Sequence, residues 1–283
     1  MWSKINTTYS APMNCDICNS DQWIPLGKLV ECSICSYTRA NNNYFSADME
    51  GLYGANYYAE GDYWNYKQEE KALRLNFRNR LSIIRRFVGK GSLLEIGSAY
   101  GYFLLEAKTF FTVAGVERNK ELAKQTAQAL NVSVYGGDIL SVHIADSYDA
   151  LVALDTIEHL VSPIKFLEKC HGLINRGGFL FIETGDIGAL LPRIQRGAWR
   201  LVQPPQHLCY FSLDTLSQIL RLAKFEVIYT KRVTFWRSIP QTFYKLHPHL
   251  YKKLSPWVSK LLSKLIFPIN TGDLIFVVAK VIK

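Results

Sequence analysis

A chain of 283 residues with 48% apolar and 20% charged side chains can bury one α/β core of about 200 residues with a small unit beside it. This composition excludes a disordered or fibrous chain, and no apolar run reaches the roughly 18 residues of a membrane-crossing helix. The charge of +9, from 33 basic and 24 acidic residues, is moderate and unevenly placed.

The opening Met1-Trp2-Ser3-Lys4-Ile5-Asn6 lacks a secretory apolar segment, so the expected location is cytoplasmic. Residues 1 to about 45 are rich in Asn, Ser, Thr and Cys and too poor in apolar periodicity to build a core without a cross-link. Cys15-x-x-Cys18 and Cys32-x-x-Cys35 supply one, as two knuckles whose four thiolates suit a tetrahedral zinc ion. In a reducing compartment this spacing favours metal over disulfides, and Cys170 and Cys209 stand apart in apolar patterns. A zinc module there is a structural staple, or serves acceptor recognition or pairing.

Residues 46–90 read as a linker and a capping helix, the amphipathic pattern running from about Glu69 to Phe87. The linker is dense in aromatics. Tyr57, Tyr58, Tyr63 and Trp64 either pack under the helix or close over a cationic ligand, which ring faces attract.

From Ser92 short apolar runs alternate with helical patterns, which predicts an α/β fold with a doubly wound, seven-stranded, mostly parallel sheet. Strands are expected at 92–96, 112–117, 132–135, 148–154, 178–184, 225–233 and 273–281. Helices are expected at about 101–109, 119–130, 162–172 and 212–223. The large domain is 91–283, with a basic amphipathic insertion at about 235–270. Between Glu226 and Asp273 there is no acidic residue, while eight Lys and Arg lie there. Ser255-Pro256 predicts a helix start, the stripe Trp257, Val258, Leu261, Leu262, Leu265 and Ile266 continues it, and Pro268 stops it. This helix is either a lid on the core or a peripheral contact with a membrane or lipid-linked substrate.

The first large-domain strand runs into Glu95-Ile96-Gly97-Ser98-Ala99-Tyr100-Gly101, at the sheet edge where doubly wound folds bind ligands. A dinucleotide loop would have Gly-x-Gly-x-x-Gly and would not tolerate Glu95 beside a pyrophosphate. A carboxylate there suits a ligand with an amino group and a sulfonium. Glu117, at the end of the second strand, is placed to accept from ribose hydroxyls, and Asp138 with Ile139, after the third, to meet an adenine.

These segments, with Leu154-Asp155-Thr156-Ile157-Glu158-His159-Leu160, resemble the successive motifs of class I S-adenosylmethionine-dependent methyltransferases over about residues 50–283. The resemblance implies a Rossmann-like methyltransferase fold and places S-adenosylmethionine against Glu95, Gly97, Ala99, Gly101, Glu117, Asp138, Ile139, Asp155 and Tyr58. Ala99 stands where the family often has a third glycine. The zinc-ribbon-like start is similar to that of some bacterial sugar and small-molecule methyltransferases.

Methyl transfer needs acceptor alignment and, for a hydroxyl, a base. His159 follows the fourth strand. His207 lies in Gln206-His207-Leu208-Cys209-Tyr210-Phe211-Ser212, which resembles an acceptor-loop sequence of that subgroup. Both are catalytic candidates, and Asp155, Glu158 and His159 also resemble a divalent-ion cluster of ubiquinone-pathway O-methyltransferases. The expected activity is O-methylation of a small polar acceptor, such as a sugar or related metabolite on a nucleotide or lipid carrier. The alternatives are an RNA or protein methyltransferase and a non-catalytic module retaining the fold. A nucleic-acid partner is not favoured, because no Asn-Pro-Pro-Tyr type of sequence follows the fourth strand.

Overall fold

The computed structural model describes residues 14–45, 69–246, 256–263 and 265–282. The tyrosine-dense stretch, Tyr58 included, lies outside them. The chain begins with an antiparallel cysteine hairpin of β1 (Trp23–Leu26), β2 (Leu29–Cys32) and β3 (Thr38–Ala40), turned at Gly27 with φ of +68°. The helix expected at 69–87 is α1 (Glu70–Ile84), which buries Ala72, Leu81, Ile83 and Ile84 on one face.

The large domain then runs β4 (Ser92–Ile96), α2 (Tyr102–Ala107), β5 (Thr112–Glu117), α3 (Lys120–Leu130), β6 (Ser133–Gly136) and β7 (Tyr148–Leu154). It continues through α4 (Pro163–Leu173), β8 (Ile174–Gly185), α5 (Leu190–Gln195), β9 (Cys209–Tyr210), α6 (Leu213–Leu222) and β10 (Phe225–Arg232). Last come β11 (Phe235–Ser238), α7 (Ile239–Leu246), α8 (Pro256–Leu262), β12 (Ile266–Ile269) and β13 (Leu274–Val281).

Seven strands form one sheet in the order β10-β13-β8-β7-β4-β5-β6, parallel from β8 to β6 and antiparallel at β13 and β10. The parallel strands are buried on both faces, so Leu93, Leu94 and Ile96 form a nearly unbroken apolar run. Caps set the helix starts: Asn119 Oδ1 accepts from Leu122 N at 3.0 Å, and Ser212 and Thr215 form a capping box. Because β4 pairs with β5 on one side and β7 on the other, the strand order reverses beside it. A crevice opens there at the carboxyl edge, between the loops after β4 and β7.

Two features differ from the sequence expectation. The helix expected through residue 266 ends at Leu262, and Ile266–Ile269 becomes a strand paired with β11, with Pro268 opposite Trp236. Leu265 and Ile266 satisfy either period, and the backbone of β11 offers hydrogen bonds that a continued helix would leave unmet. Of the stripe, Trp257, Leu261 and Leu265 are exposed, and Val258, Leu262 and Ile266 are partly buried. Second, the cysteine hairpin does not stand alone: β9 joins it as a fourth strand, in the order β1-β2-β3-β9.

A buried ion pair ties α1 to the sheet beneath the crevice. Arg80 donates from Nε and Nη2 to the two Glu183 carboxylate oxygens at 2.6 and 2.8 Å, and from Nη1 to Thr234 O at 2.5 Å. Asn76, one turn earlier, donates to Trp236 O at 3.0 Å, so α1 and β11 form one wall. Removing one partner of such a pair strands the other charge. Arg80→Met is therefore expected to lower the unfolding free energy by about 3–5 kcal/mol. Urea denaturation should also show that adding Glu183→Gln restores most of that loss.

Candidate active site

The loop after β4 turns through positive φ at Gly97 (+84°), Ala99 (+46°) and Gly101 (+70°). At Gly97 an added Cβ would stand 2.8 Å from Thr156 Oγ1, so a side chain there would collide with the loop after β7. Gly101 is the N-cap of α2 and faces Thr126 and Leu130, behind the loop rather than in the crevice. Ala99 adopts the left-handed region despite its Cβ, which costs about 1–2 kcal/mol. Its backbone is held on both sides: the N–H donates to Glu117 Oε2 at 2.9 Å, and its O accepts from Thr126 Oγ1 at 2.9 Å. Glu117 Oε1 accepts from Asn119 N at 2.8 Å.

The crevice is a cavity of about 330 Å³, within the range of small-molecule sites. Glu95, Gly97, Ala99, Glu117, Asp138 and Ile139 line one half, and Asp155, Glu158, His159 and His207 line the other. Glu95 is buried, and its Oε2 has no hydrogen-bond partner among the described residues. Burial, and then the neighbouring Glu117 charge, push its carboxyl well above the usual range. A cationic ammonium would relieve both. Asp138 Oδ1 accepts from Leu140 N at 2.8 Å, which sets the turn after β6.

In the second half Asp155 has φ of +47° and donates its N–H to Glu183 O at 3.0 Å. Burial and the Glu183 charge raise its carboxyl to about 7, against the pull of Arg80, Arg200 and Arg237. Glu158 rises to about 8 through burial and the Asp155 charge, although Thr184 Oγ1 donates to its Oε2 at 3.0 Å. The His159 and His207 rings meet edge to face, with centroids 4.8 Å apart. His159 Nδ1 lies 2.8 Å from Gln206 O, and His207 Nδ1 lies 2.8 Å from Leu201 O. A carbonyl only accepts, so each Nδ1 carries a proton, and the neutral form of each ring has its lone pair at Nε2.

The acidic and histidine ligand atoms that gather within 4.8 Å of one another belong to Glu158, His159 and His207. Among the described residues His207 thus stands with Glu158 and His159, and Asp155, whose charge acts on Glu158, is a further neighbour. The cavity also takes Arg80 from α1, Arg200 from the segment after α5, and Arg237 and Gln241 from β11 and α7. None of these was singled out from the sequence. An arginine on the otherwise apolar face of the capping helix is the one local signal for Arg80.

At the N-terminus, Sγ of Cys15 lies 3.4 Å from that of Cys35, and Sγ of Cys18 lies 3.4 Å from that of Cys32. All four sulfurs fall within 4.8 Å of one another, and none forms a disulfide. Four thiolates about 2.3 Å from a tetrahedral zinc would stand about 3.8 Å apart, so this cluster could hold one.

A crevice at the strand-order reversal, a glycine loop, and acids near the carboxyl ends of β4 and β5 and after β6 are the features expected of a class I S-adenosylmethionine-dependent methyltransferase. A family profile described as "Methyltransferase domain" matches residues 63–230, more than half of the chain, and the chain belongs to that family. A ubiquinone biosynthesis O-methyltransferase of Coxiella burnetii is 32% identical over 133 residues. That match covers 44% of this chain and 56% of the relative, so the chain spans little more than half the length of the curated relatives it matches. Among solved structures, an S-adenosylmethionine-dependent methyltransferase of Thermotoga maritima has a TM-score of 0.51 at 19% identity, covering 77% of this chain and 94% of that one. One from Clostridium acetobutylicum has a TM-score of 0.50 at 10% identity, covering 81% and 98%. Both likenesses concern the fold. The chain thus carries a methyltransferase-family domain, and no helix among the described residues is long and apolar enough to cross a membrane.

The raised acids predict a pH dependence of stability. Folded Asp155 and Glu158 keep their protons to about 7 and about 8, whereas unfolded carboxyls lose theirs near pH 4. Between those limits the folded chain binds more protons, so their stabilising contribution is full below about pH 4 and is lost as pH rises through 7 to 8. Each group contributes a slope of at most about 1.4 kcal/mol per pH unit. Ligand-free protein should melt lower at pH 8 than at pH 6. Glu158→Gln should flatten that difference, and an unchanged slope in calorimetric scans would contradict the assignment.

Proposed function

We propose that the protein methylates an oxygen of a small polar acceptor, such as a sugar or related metabolite on a nucleotide or lipid carrier. The observation that carries this proposal is the His159–His207 pair, two edge-to-face rings that both line the cavity. When bound, S-adenosylmethionine supplies an electrophilic methyl group on sulfur. Glu95 would meet its ammonium, Glu117 its ribose and Asp138 with Ile139 its adenine, with Gly97 and Ala99 along the methionine arm. The transfer is an in-line displacement, so the remaining work is alignment and removal of the acceptor proton.

His207 Nε2 takes that proton as the new O–C bond forms and the S–C bond breaks. His159 stands edge-on beside it, and the Glu158 carboxyl, within 4.8 Å of ring nitrogens of both histidines, is placed to stabilise the imidazolium. The carbonyls of Leu201 and Gln206 fix both ring tautomers. A divalent ion at Glu158, His159 and His207 would compete for the same nitrogens. The O-methyltransferase name of the Coxiella burnetii relative fits an oxygen acceptor.

A lipid carrier, and with it work in the cytoplasm at the inner membrane face, draws support from the surface. Leu190 and Ile194 of α5 and Trp257 and Leu261 of α8 are exposed, with Arg193 and Arg196 beside the first pair. The cysteine cluster holds a structural zinc in a module of residues 1–45, joined by 46–90 to the methyltransferase domain at 91–283.

Purified protein incubated with methyl-labelled donor and separated sugar, lipid, protein and nucleic-acid fractions tests the proposal. Label is expected in a sugar or lipid product. His207→Ala should lower its rate by roughly 10²–10⁴ without weakening donor binding. Label confined to the protein or nucleic-acid fraction would overturn the acceptor class, and full activity in His207→Ala would overturn the base.

A further inference from the structure

His207 is held by a segment too short to hold itself. It precedes β9, only Cys209 and Tyr210, and a strand of two residues makes too few ladder bonds to persist unaided. On one side Leu208 N donates to Glu158 O at 2.7 Å and Cys209 Sγ to Leu160 O at 3.2 Å. On the other side the partner is the cysteine hairpin. Thr38 pairs with Tyr210 and Arg39 with Cys209, Ala40 N donates to Leu208 O at 2.8 Å, and the buried Tyr37 ring packs 5.5 Å from Phe211. Tyr210 closes the loop by donating its hydroxyl to His207 O at 3.0 Å.

The hairpin's own geometry begins at the cysteines. Cys32 ends β2, its N–H donates to Tyr37 O at 2.8 Å, and its O accepts from Ser36 N at 2.9 Å. This knuckle sets where β3 starts. The path from the thiolate cluster to the histidine therefore runs through Cys32, Tyr37, β3 and Leu208. The cofactor half stands on β4, β5 and β6, which belong to the other sheet.

We infer that the metal-binding hairpin is a clamp on the acceptor loop: it adds β3 to β9 and so positions His207 against His159 and Glu158. Tyr37 and Ala40 are positioning residues in this scheme, acting through Leu208 and Phe211 without touching substrate. The inference rests on the assignment of His207 as the base for its catalytic meaning, but not for its structural content. Loss of the metal frees the knuckle, slackens β3–β9 pairing and lets His207 leave its partner, while the cofactor half keeps its shape.

Hydrogen exchange of the full chain tests this, comparing zinc-loaded protein with protein stripped by chelator and with Cys35→Ser, with zinc content measured in each. Amides of residues 38–41 and 206–211 should exchange about tenfold faster or more without zinc. The His159 and His207 ring-proton resonances should shift as their edge-to-face contact opens. The dissociation constant for S-adenosylmethionine should stay within about a factor of three. Tyr37→Leu, which leaves the cysteines in place, should keep its zinc and still loosen 206–211. Unchanged exchange at 206–211 in zinc-free protein would overturn the inference, as would loss of donor binding in parallel, which would mark a general staple. So would protein that never binds zinc, or a Tyr37→Leu variant as protected as the parent. A fully active His207→Ala variant would sink the base assignment and leave the exchange result standing.

Discussion

The cofactor half of the cavity depends on one carboxylate. Glu117 ends β5 and reaches back across the sheet edge to hold the Ala99 amide, while its other oxygen takes the Asn119 amide at the start of α3. These charge-assisted bonds fix a loop whose residues sit at positive φ, one of them not a glycine. The same group then faces the cavity, so loop geometry and ligand recognition are set together. Glu95 behind it is buried, its Oε2 lacks a hydrogen-bond partner among the described residues, and burial with the Glu117 charge raises its carboxyl. A cationic amino-acid group beside it would relieve both.

The acceptor half is built differently. Its groups come from α1, the loop after β7, the segment before β9, β11 and α7, and burial raises the carboxyls of Asp155 and Glu158. Arg80 with Glu183 joins α1 to β8, and Leu208, next to His207, is held between Glu158 and Ala40. Chemistry at this end answers to the hairpin as much as to the large sheet.

Legibility in the sequence followed locality. The strands from β4 to β8 are buried runs or end at a glycine or an acid, and Asn119 and Ser212 announce helix starts, so these elements and the acids after them could be placed closely. The segment 265–269 could not, because Leu265, Ile266 and Phe267 fit a helix face or a strand equally well and the choice was made by β11. Strands β1 to β3 and β9 are short and polar or isolated, and their pairing is a tertiary event. Both histidines could be named from their positions after β7 and β8. Their contact, the approach of His207 to Glu158, and the arginines of the cavity join residues distant in the chain and carry no local signal.

Calorimetric titration of S-adenosylmethionine into the parent protein and into Glu117→Gln measures how far this carboxylate sets cofactor binding. Saturable one-site binding to the parent is expected. Binding to the variant should be weaker by about tenfold to a hundredfold, as expected for losing a charged hydrogen-bond acceptor worth about 1.5–3 kcal/mol. Equal affinity in the two proteins, or no saturable binding to the parent, would contradict this role of Glu117.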